Sequence, residues 1–304
     1  MTLGDGFTEI LDAERSIMSA EDVFGVGSML SYDERVLLHW AARTAPPGAI
    51  VDLGAFLGGS TLALATGGEE RGATVYSYDK FVLAGDWERA WLPEGTELGL
   101  GHSTIPVFDA NVARVRDHVV ARRGDVEAHP WTDGPIGTLF IDIAKSWSTG
   151  DFVWRTFLPA LVPGSLVIQQ DLVHWGHPWC AIIMEYLSES FEYLGWVWYS
   201  SAVYRCIEPV PTVSTRLRDE FSCDELVEFV DRAAARIGEP AAASVRMSAV
   251  EVYGTFDRFD DARACVQRVR DSYDDERLPH IEEGCDHLDR WIADVESGRI
   301  VIEG

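Results

Sequence analysis

VDLGAFLGGST, Val51 to Thr61, sets one acid, three glycines and two hydroxyls into eleven positions directly after an apolar run. AIVDLG reads as a short buried strand, and STLALATGGEE as a helix that stops at glycines. Glycines at such a hand-over make the turn tight, or let something approach the main chain closely. The helix that follows begins at Ser60 and Thr61, and its N-terminus favours a carboxylate or phosphate. The spacing is neither the dinucleotide fingerprint nor a Walker loop, since no Lys-Ser/Thr closes it. Asp52 would repel a pyrophosphate and attract a cation. A ligand with an amino group, a carboxylate and a sulfonium charge suits that mixture.

Outward from this turn, strands alternate with helices. ATVYSYD (73–79), GTLFID (137–142) and SLVIQQD (165–171) read as strands, and a helix over Val107–Val120 leads into Arg123–Val126, with Asp125 just after a third strand. Helices are expected over VWRTFLPAL and over 179–190. FEYLGWVWYSSAVYRCIEPV reads as two antiparallel strands hinged at Ser200–Ser201. This alternation predicts an α/β, Rossmann-like, doubly wound, mostly parallel sheet of seven strands with an antiparallel last strand. Helical extensions flank it. Residues 1–45 carry SYDERVLLHWAAR with Ser31 as N-cap, 46–210 form the core, and 211–304 read as charged amphipathic helices. Residues Lys80 to Ile105 form a long irregular insert of the kind that binds substrates.

In such a sheet, ligands bind beyond the carboxyl ends of the strands at the switch point. Asp79 ends the second strand, where an acid commonly takes ribose hydroxyls. Asp125 follows the expected third strand, where an adenine could lie. On these residues VDLGAFLGGST resembles the first motif of class I S-adenosylmethionine-dependent methyltransferases, in the variant of catechol O-methyltransferase-like and macrocin O-methyltransferase-like enzymes. The resemblance covers about Ser28 to Pro209. It implies S-adenosylmethionine contacts at Asp52, Gly54, Ser60 and Asp79. Ala55, Phe56, Gly58, Asp125 and Asp142 complete the candidate cofactor-binding set.

Methyl transfer from a sulfonium is an in-line displacement that must align the acceptor and dispose of its proton. FIDIAKSW (140–147) and QQDLVHWGHPW (169–179) lie where that chemistry belongs. Asp142 and Asp171, on neighbouring strand ends, would form a hard oxygen site for Mg²⁺, with Gln170 as a candidate third ligand. Asp142-x-x-Lys145 resembles the aspartate and general-base lysine of catechol O-methyltransferase, and burial or a metal could depress that lysine. The family's third ligand would follow Asp171, where this chain has Leu172. A metal-free site, with His174 or His177 as base, therefore stays open, His174 being nearer the strand end. Trp147, Trp175 and Trp179, with Trp87 and Trp91 of the insert, could wall an acceptor pocket.

The chain has 304 residues, is 47% hydrophobic and carries a formal charge of −25. That charge disfavours nucleic acid and anionic lipid as partners. There is no run long enough to span a membrane and no signal-peptide layout, so a cytoplasmic protein is expected. Five scattered cysteines suit neither a disulfide framework nor zinc. The reading is a small-molecule O-methyltransferase acting on a sugar, a glycosylated natural product or a phenol. The helical extensions could carry homo-oligomer contacts. The alternative is an S-adenosylmethionine-binding regulatory or assembly protein without turnover. An NAD-dependent oxidoreductase is disfavoured by the glycine spacing.

Overall fold

Short apolar runs bounded by glycine, proline and acidic turns become the strands: β1 (Ala49–Leu53), β2 (Val75–Asp79), β3 (Val119–Arg123), β4 (Ile136–Ile141), β5 (Leu161–Gln169), β6 (Phe191–Val197) and β7 (Ser201–Cys206). The structure, a computed structural model, describes residues 5–18, 25–197, 200–212, 216–273 and 279–302. The expected hairpin forms, although residues 198–199 within it lie outside that description, as do parts of both expected terminal extensions.

The seven strands make one sheet in the order β3-β2-β1-β4-β5-β7-β6. β1 runs parallel to β2 and β4, β4 to β5, and β2 to β3, while β7 is antiparallel to both β5 and β6. The reversal follows from the short Ser200 turn, since adjacent strands joined so tightly can only pair antiparallel. The chain leaves β1 toward β2 and β3, then returns to β4 on the other side, so the switch point lies between β1 and β4.

Period-two alternation splits the sheet's side chains between two cores. Ile50, Phe140, Leu166, Ile168 and Val203 face one side. There they meet α1 (Asp5–Ile17), α2 (Tyr32–Thr44), α3 (Gly59–Gly68) and α4 (Ile105–Asn111). Val51, Leu53, Leu139, Ile141, Val167 and Tyr204 face the other. That side is covered by α5 (Trp147–Thr156) and α6 (Pro178–Tyr186), and beyond them by α7 (Leu217–Glu220), α8 (Cys223–Ile237), α9 (Ala242–Met247), α10 (Ala249–Thr255), α11 (Phe259–Ser272) and α12 (Pro279–Glu296). The C-terminal helices share this second core with the sheet. Arg236 on α8 clamps the buried Glu185 of α6 through two bonds of 2.7 and 3.0 Å.

Ser31 caps α2 as its sequence predicts, with a reciprocal bond of 2.8 Å from its N–H to Glu34. The expected helix over Val107–Val120 is shorter. It ends at Asn111, a 3₁₀ stretch covers Ala113–His118, and Val119 and Val120 pair with Val75 and Tyr76 of β2. β-branched residues beside an open strand edge join the ladder rather than prolong a helix. β3 therefore ends at Arg123, and Asp125 lies in the following turn.

α2 and α3 cross closely because Gly67 faces the main chain of His39, where a Cβ would overlap its carbonyl. Gly67→Ala is expected to cost about 1–3 kcal/mol, as overpacking does, read as a lower midpoint in urea denaturation.

Candidate active site

The carboxyl ends of β1, β2, β4 and β5 surround a cavity of about 650 Å³. Gly54, Phe56, Asp79, Asp125, Asp142, Lys145, Gln170 and Asp171 all line it. Ala55 and Ser60 instead edge a narrow recess beside it, closed by residues 27–30.

The turn after β1 has glycines for reasons the structure separates. Gly54 has φ +103°, and a Cβ there would meet the carbonyl oxygen of Asp142 at 2.8 Å. Gly58, at φ +93°, faces Val112 and Phe108 of the protein's own core, and Gly59 faces Ser28. The close approach expected of a ligand at Gly58 is thus made by α4. Asp52 also departs from expectation. It shares the face of Ile50, is wholly buried, and turns toward α3, where its carboxylate accepts from Ser60 Oγ (3.0 Å) and Thr61 Oγ1 (2.5 Å). It braces the helix start and does not line the cavity.

Asp79 is held from two sides. Its carboxylate accepts the N–H of Phe56 at 2.8 Å and of Phe81 at 2.6 Å. Burial pushes its carboxyl up, against those two bonds. Asp125 is exposed, caps the following 3₁₀ turn through the Glu127 N–H, and lies 3.6 Å from the Lys80 ammonium at the rim. The insert is pinned by Glu88, whose Oε2 accepts the N–H groups of Ala84 (2.7 Å) and Gly85 (3.3 Å). That leaves Trp87 64% exposed over the cavity, with Met29 opposite.

At the far end, Lys145 lies between two carboxylates. Its ammonium donates to Asp142 Oδ1 at 2.8 Å and forms a close ion pair with Asp171 Oδ2. Burial alone would lower this lysine, but the two carboxylates outweigh it and hold it well above the ordinary lysine value. The sequence-based expectation of a depressed, base-like Lys145 is corrected accordingly. Burial pushes Asp142 up against the pull of Lys145, while at Asp171 the ammonium prevails over burial and the carboxyl falls. Gln170, expected as a metal ligand, turns away. Its Nε2 donates to Ser200 Oγ at 2.7 Å, and its Oε1 bonds the Ser201 hydroxyl, which lies 3.0 Å from buried Glu34.

His174, the preferred base from sequence, does not line the cavity. Its Nδ1 accepts the Gly176 N–H at 3.2 Å and its ring lies tilted against Trp175. His177 is the imidazole beside the carboxylates, with Nε2 3.7 Å from Asp171 Oδ2. Burial lowers it to about 4, against the pull of Asp171. Its advantage follows from the turn: Asp171, at φ +62°, reverses the chain, so the more distant histidine folds back. Trp147 and Trp179, expected at the rim, are 4% and 6% exposed and pack edge to face in the core.

The reversed β7 between β5 and β6, and the crevice at the β1–β4 switch point, decide the architecture. The fold is a Rossmann-like doubly wound sheet with a reversed last strand, as the resemblance to class I S-adenosylmethionine-dependent methyltransferases led one to expect. Solved structures that this chain resembles include the O-methyltransferase NovP, at 16% identity, covering 60% of this chain and 83% of that one with a TM-score of 0.45. The O-methyltransferase from Bacillus cereus in complex with SAH is 16% identical, covering 68% and 93% with a TM-score of 0.40. CalS11, a TDP-rhamnose 3'-O-methyltransferase, is 18% identical, covering 67% and 96% with a TM-score of 0.42. No family model and no curated protein matches the sequence. Among the described residues no helix is long and apolar enough to cross a membrane.

Asp52 has a measurable consequence. Burial raises its carboxyl to about 7, so the folded chain binds a proton more tightly than the unfolded one. Between about pH 4 and pH 7 the folded state holds a proton the unfolded state has lost, so stability falls as pH rises through that window. Asp52→Asn, which cannot titrate, is expected to flatten that limb in thermal melts taken across the range.

Proposed function

We propose that this protein transfers the methyl group of S-adenosylmethionine to a hydroxyl of a small molecule. The observation that carries the reading is one continuous cavity with two chemically distinct ends. The braced Asp79 carboxylate stands at one end, and Lys145 between Asp142 and Asp171 at the other. Its volume lies in the range of small-ligand sites.

S-adenosylmethionine, when bound, supplies the electrophilic methyl. Asp79 is assigned the ribose hydroxyls, because backbone N–H groups already fix its oxygens and leave lone pairs facing the cavity. Gly54 and Phe56 form the wall beside them, and Asp125 stands at the outer rim. The acceptor hydroxyl is assigned the other end. There the Lys145 ammonium orients its oxygen and favours its deprotonation, and the flanking carboxylates receive the proton. S-adenosylmethionine would supply the methyl to that oxygen and leave as a neutral thioether, while the Asp142–Asp171 pair would carry the proton released by the acceptor.

Met29, Val82, Trp87 and Ile143 give the cavity an apolar wall. A sugar face or an aromatic ring packs against such side chains. NovP and TomG are solved O-methyltransferases, TomG being involved in tomaymycin synthesis, and CalS11 methylates TDP-rhamnose in calicheamicin biosynthesis. By likeness, we place the acceptor of this chain among hydroxylated natural products or their sugars.

Titration calorimetry with S-adenosylmethionine, then incubation of labelled donor with sugar and phenol acceptors, tests the reading. Saturable binding and label on oxygen are expected. Asp79→Asn should weaken binding about 10- to 100-fold, the range for a hydrogen bond to a charged group, and should also lower the melting temperature, because one of the N–H groups of Phe56 and Phe81 loses its acceptor. Binding without transfer to any acceptor would favour the regulatory alternative, and absence of binding would end both.

A further inference from the structure

Two carboxylates on neighbouring strand ends invite a divalent cation, and the surrounding residues can be tested against that. Mg²⁺ demands near-octahedral oxygen coordination, and Ca²⁺ takes six to eight oxygens. Here the charged side-chain oxygens that face each other are those of Asp142 and Asp171, and the Ser200 hydroxyl beside them donates to Asp171 Oδ1 at 3.3 Å. The amide of Gln170 is committed to Ser200 and Ser201. The residue after Asp171 is Leu172, an apolar side chain 1% exposed in the core. His177 approaches Asp171 with a nitrogen, at 3.7 Å. Among the described residues no group of three or more His, Cys, Asp or Glu side chains could hold a metal ion. With the Lys145 ammonium between the two carboxylates, the donor set does not fit a divalent cation.

The space between the carboxylates is taken by Lys145, and its root is fixed. The Asp142 N–H donates to Leu53 O at 2.7 Å, and the Lys145 N–H to Ile143 O at 2.8 Å. Trp179 Nε1 donates to Ala144 O at 2.5 Å. A short loop tied at Asp142, Ala144 and Lys145 delivers the ammonium to the point between the two acids.

We propose that Lys145 is the resident cation of this centre: its ammonium neutralises the Asp142–Asp171 pair in place of a divalent metal and excludes one by charge and by volume. The proposal deepens the reading of the same site given above and rests on that reading only for its catalytic consequence. A divalent ion brought within a few ångströms of this ammonium is repelled, and the net charge of the triad is already only −1. The acceptor oxygen is then polarised by an N–H donor fixed in the chain, with no ion to load.

Manganese serves as the probe, because the electron paramagnetic resonance signal of free Mn²⁺ reports binding without any methyl donor. Titrating the whole protein with Mn²⁺ is expected to show no saturable loss of the free signal. Lys145→Met, which keeps the length and removes the charge, should bind Mn²⁺ about tenfold or more tighter than wild type, as removal of an adjacent like charge requires. Lys145→Arg should exclude the ion as wild type does. Circular dichroism melts establish that each variant is folded. Stoichiometric Mn²⁺ binding by wild type that disappears in Asp171→Asn would overturn the proposal, as would Lys145→Met binding no more tightly than wild type. None of these outcomes depends on S-adenosylmethionine binding, which calorimetry reads separately, so the two readings stand or fall apart. Where transfer is observed, EDTA should leave its rate unchanged.

Discussion

No side chain fits between residue 54 and the carbonyl of Asp142, and the whole site is arranged around that fact. β1 and β4 run side by side to their carboxyl ends, and the Asp142 N–H continues the ladder by donating to Leu53 at 2.7 Å. Gly54 must then leave the sheet at positive φ with the neighbouring main chain already against it. Because β1 and β4 stay in contact to their last residues, the turn after β1 and the loop after β4 lie on one floor. Asp79 and Lys145 consequently face a single cavity instead of two separate clefts. A larger residue at position 54 would part the strands just where the donor and acceptor ends have to meet.

The same floor concentrates strain. Among the described residues, Phe56, Phe81 and Asp171 are three of the four non-glycine residues at positive φ, and all three follow a strand end at this crevice. Each has a local return. Phe56 and Phe81 turn their N–H groups onto the Asp79 carboxylate, and the turn at Asp171 carries the chain back toward His177. Side chains held in sparsely populated backbone regions persist only where neighbours over-determine them. Here the neighbours are hydrogen bonds to charged groups, stronger than neutral ones and stronger still out of water.

What the sequence shows well is whatever repeats. Strand and helix periods, the Ser31 cap and the glycine turn carry their own local signal, and so the order of elements and the placing of Asp79, Asp142 and Asp171 at strand ends are legible. What it conceals is direction. Nothing in the spacing of QQDLVHW distinguishes a Gln170 aimed at a metal from one aimed at Ser200, because Ser200 arrives from the hairpin thirty residues later. Asp52 reads as a ligand contact because its position is right, yet period-two alternation turns it toward Ser60 and Thr61. Trp147 and Trp179 read as pocket walls because tryptophan suits both a rim and a core, and only the packing of α5 on α6 decides between them. Val119 reads as the end of a helix because the strand edge that claims it lies more than forty residues earlier, at Val75.

The C-terminal helices reach the loop that follows β5 at Trp175. Trp175, between the two histidines of the β5–α6 loop, packs against His287 of α12, with ring centroids 4.5 Å apart and planes inclined by 42°. Its ring also lies over Gly284, where a Cβ would meet Trp175 Cδ1 at 2.8 Å. The loop from Asp171 to the start of α6 is held at its near end by the buried Leu172 and Val173 and by the Val173 N–H, which donates to Ser200 O at 2.9 Å. Docking an indole into a notch cut by a missing side chain supplies a directional anchor at the middle of the loop. The anchor lies two residues from His177 and four from Asp171, so the separation of that imidazole and that carboxylate is set partly by α12. The charged helices after β7 are therefore structural neighbours of the loop that carries Asp171 and His177.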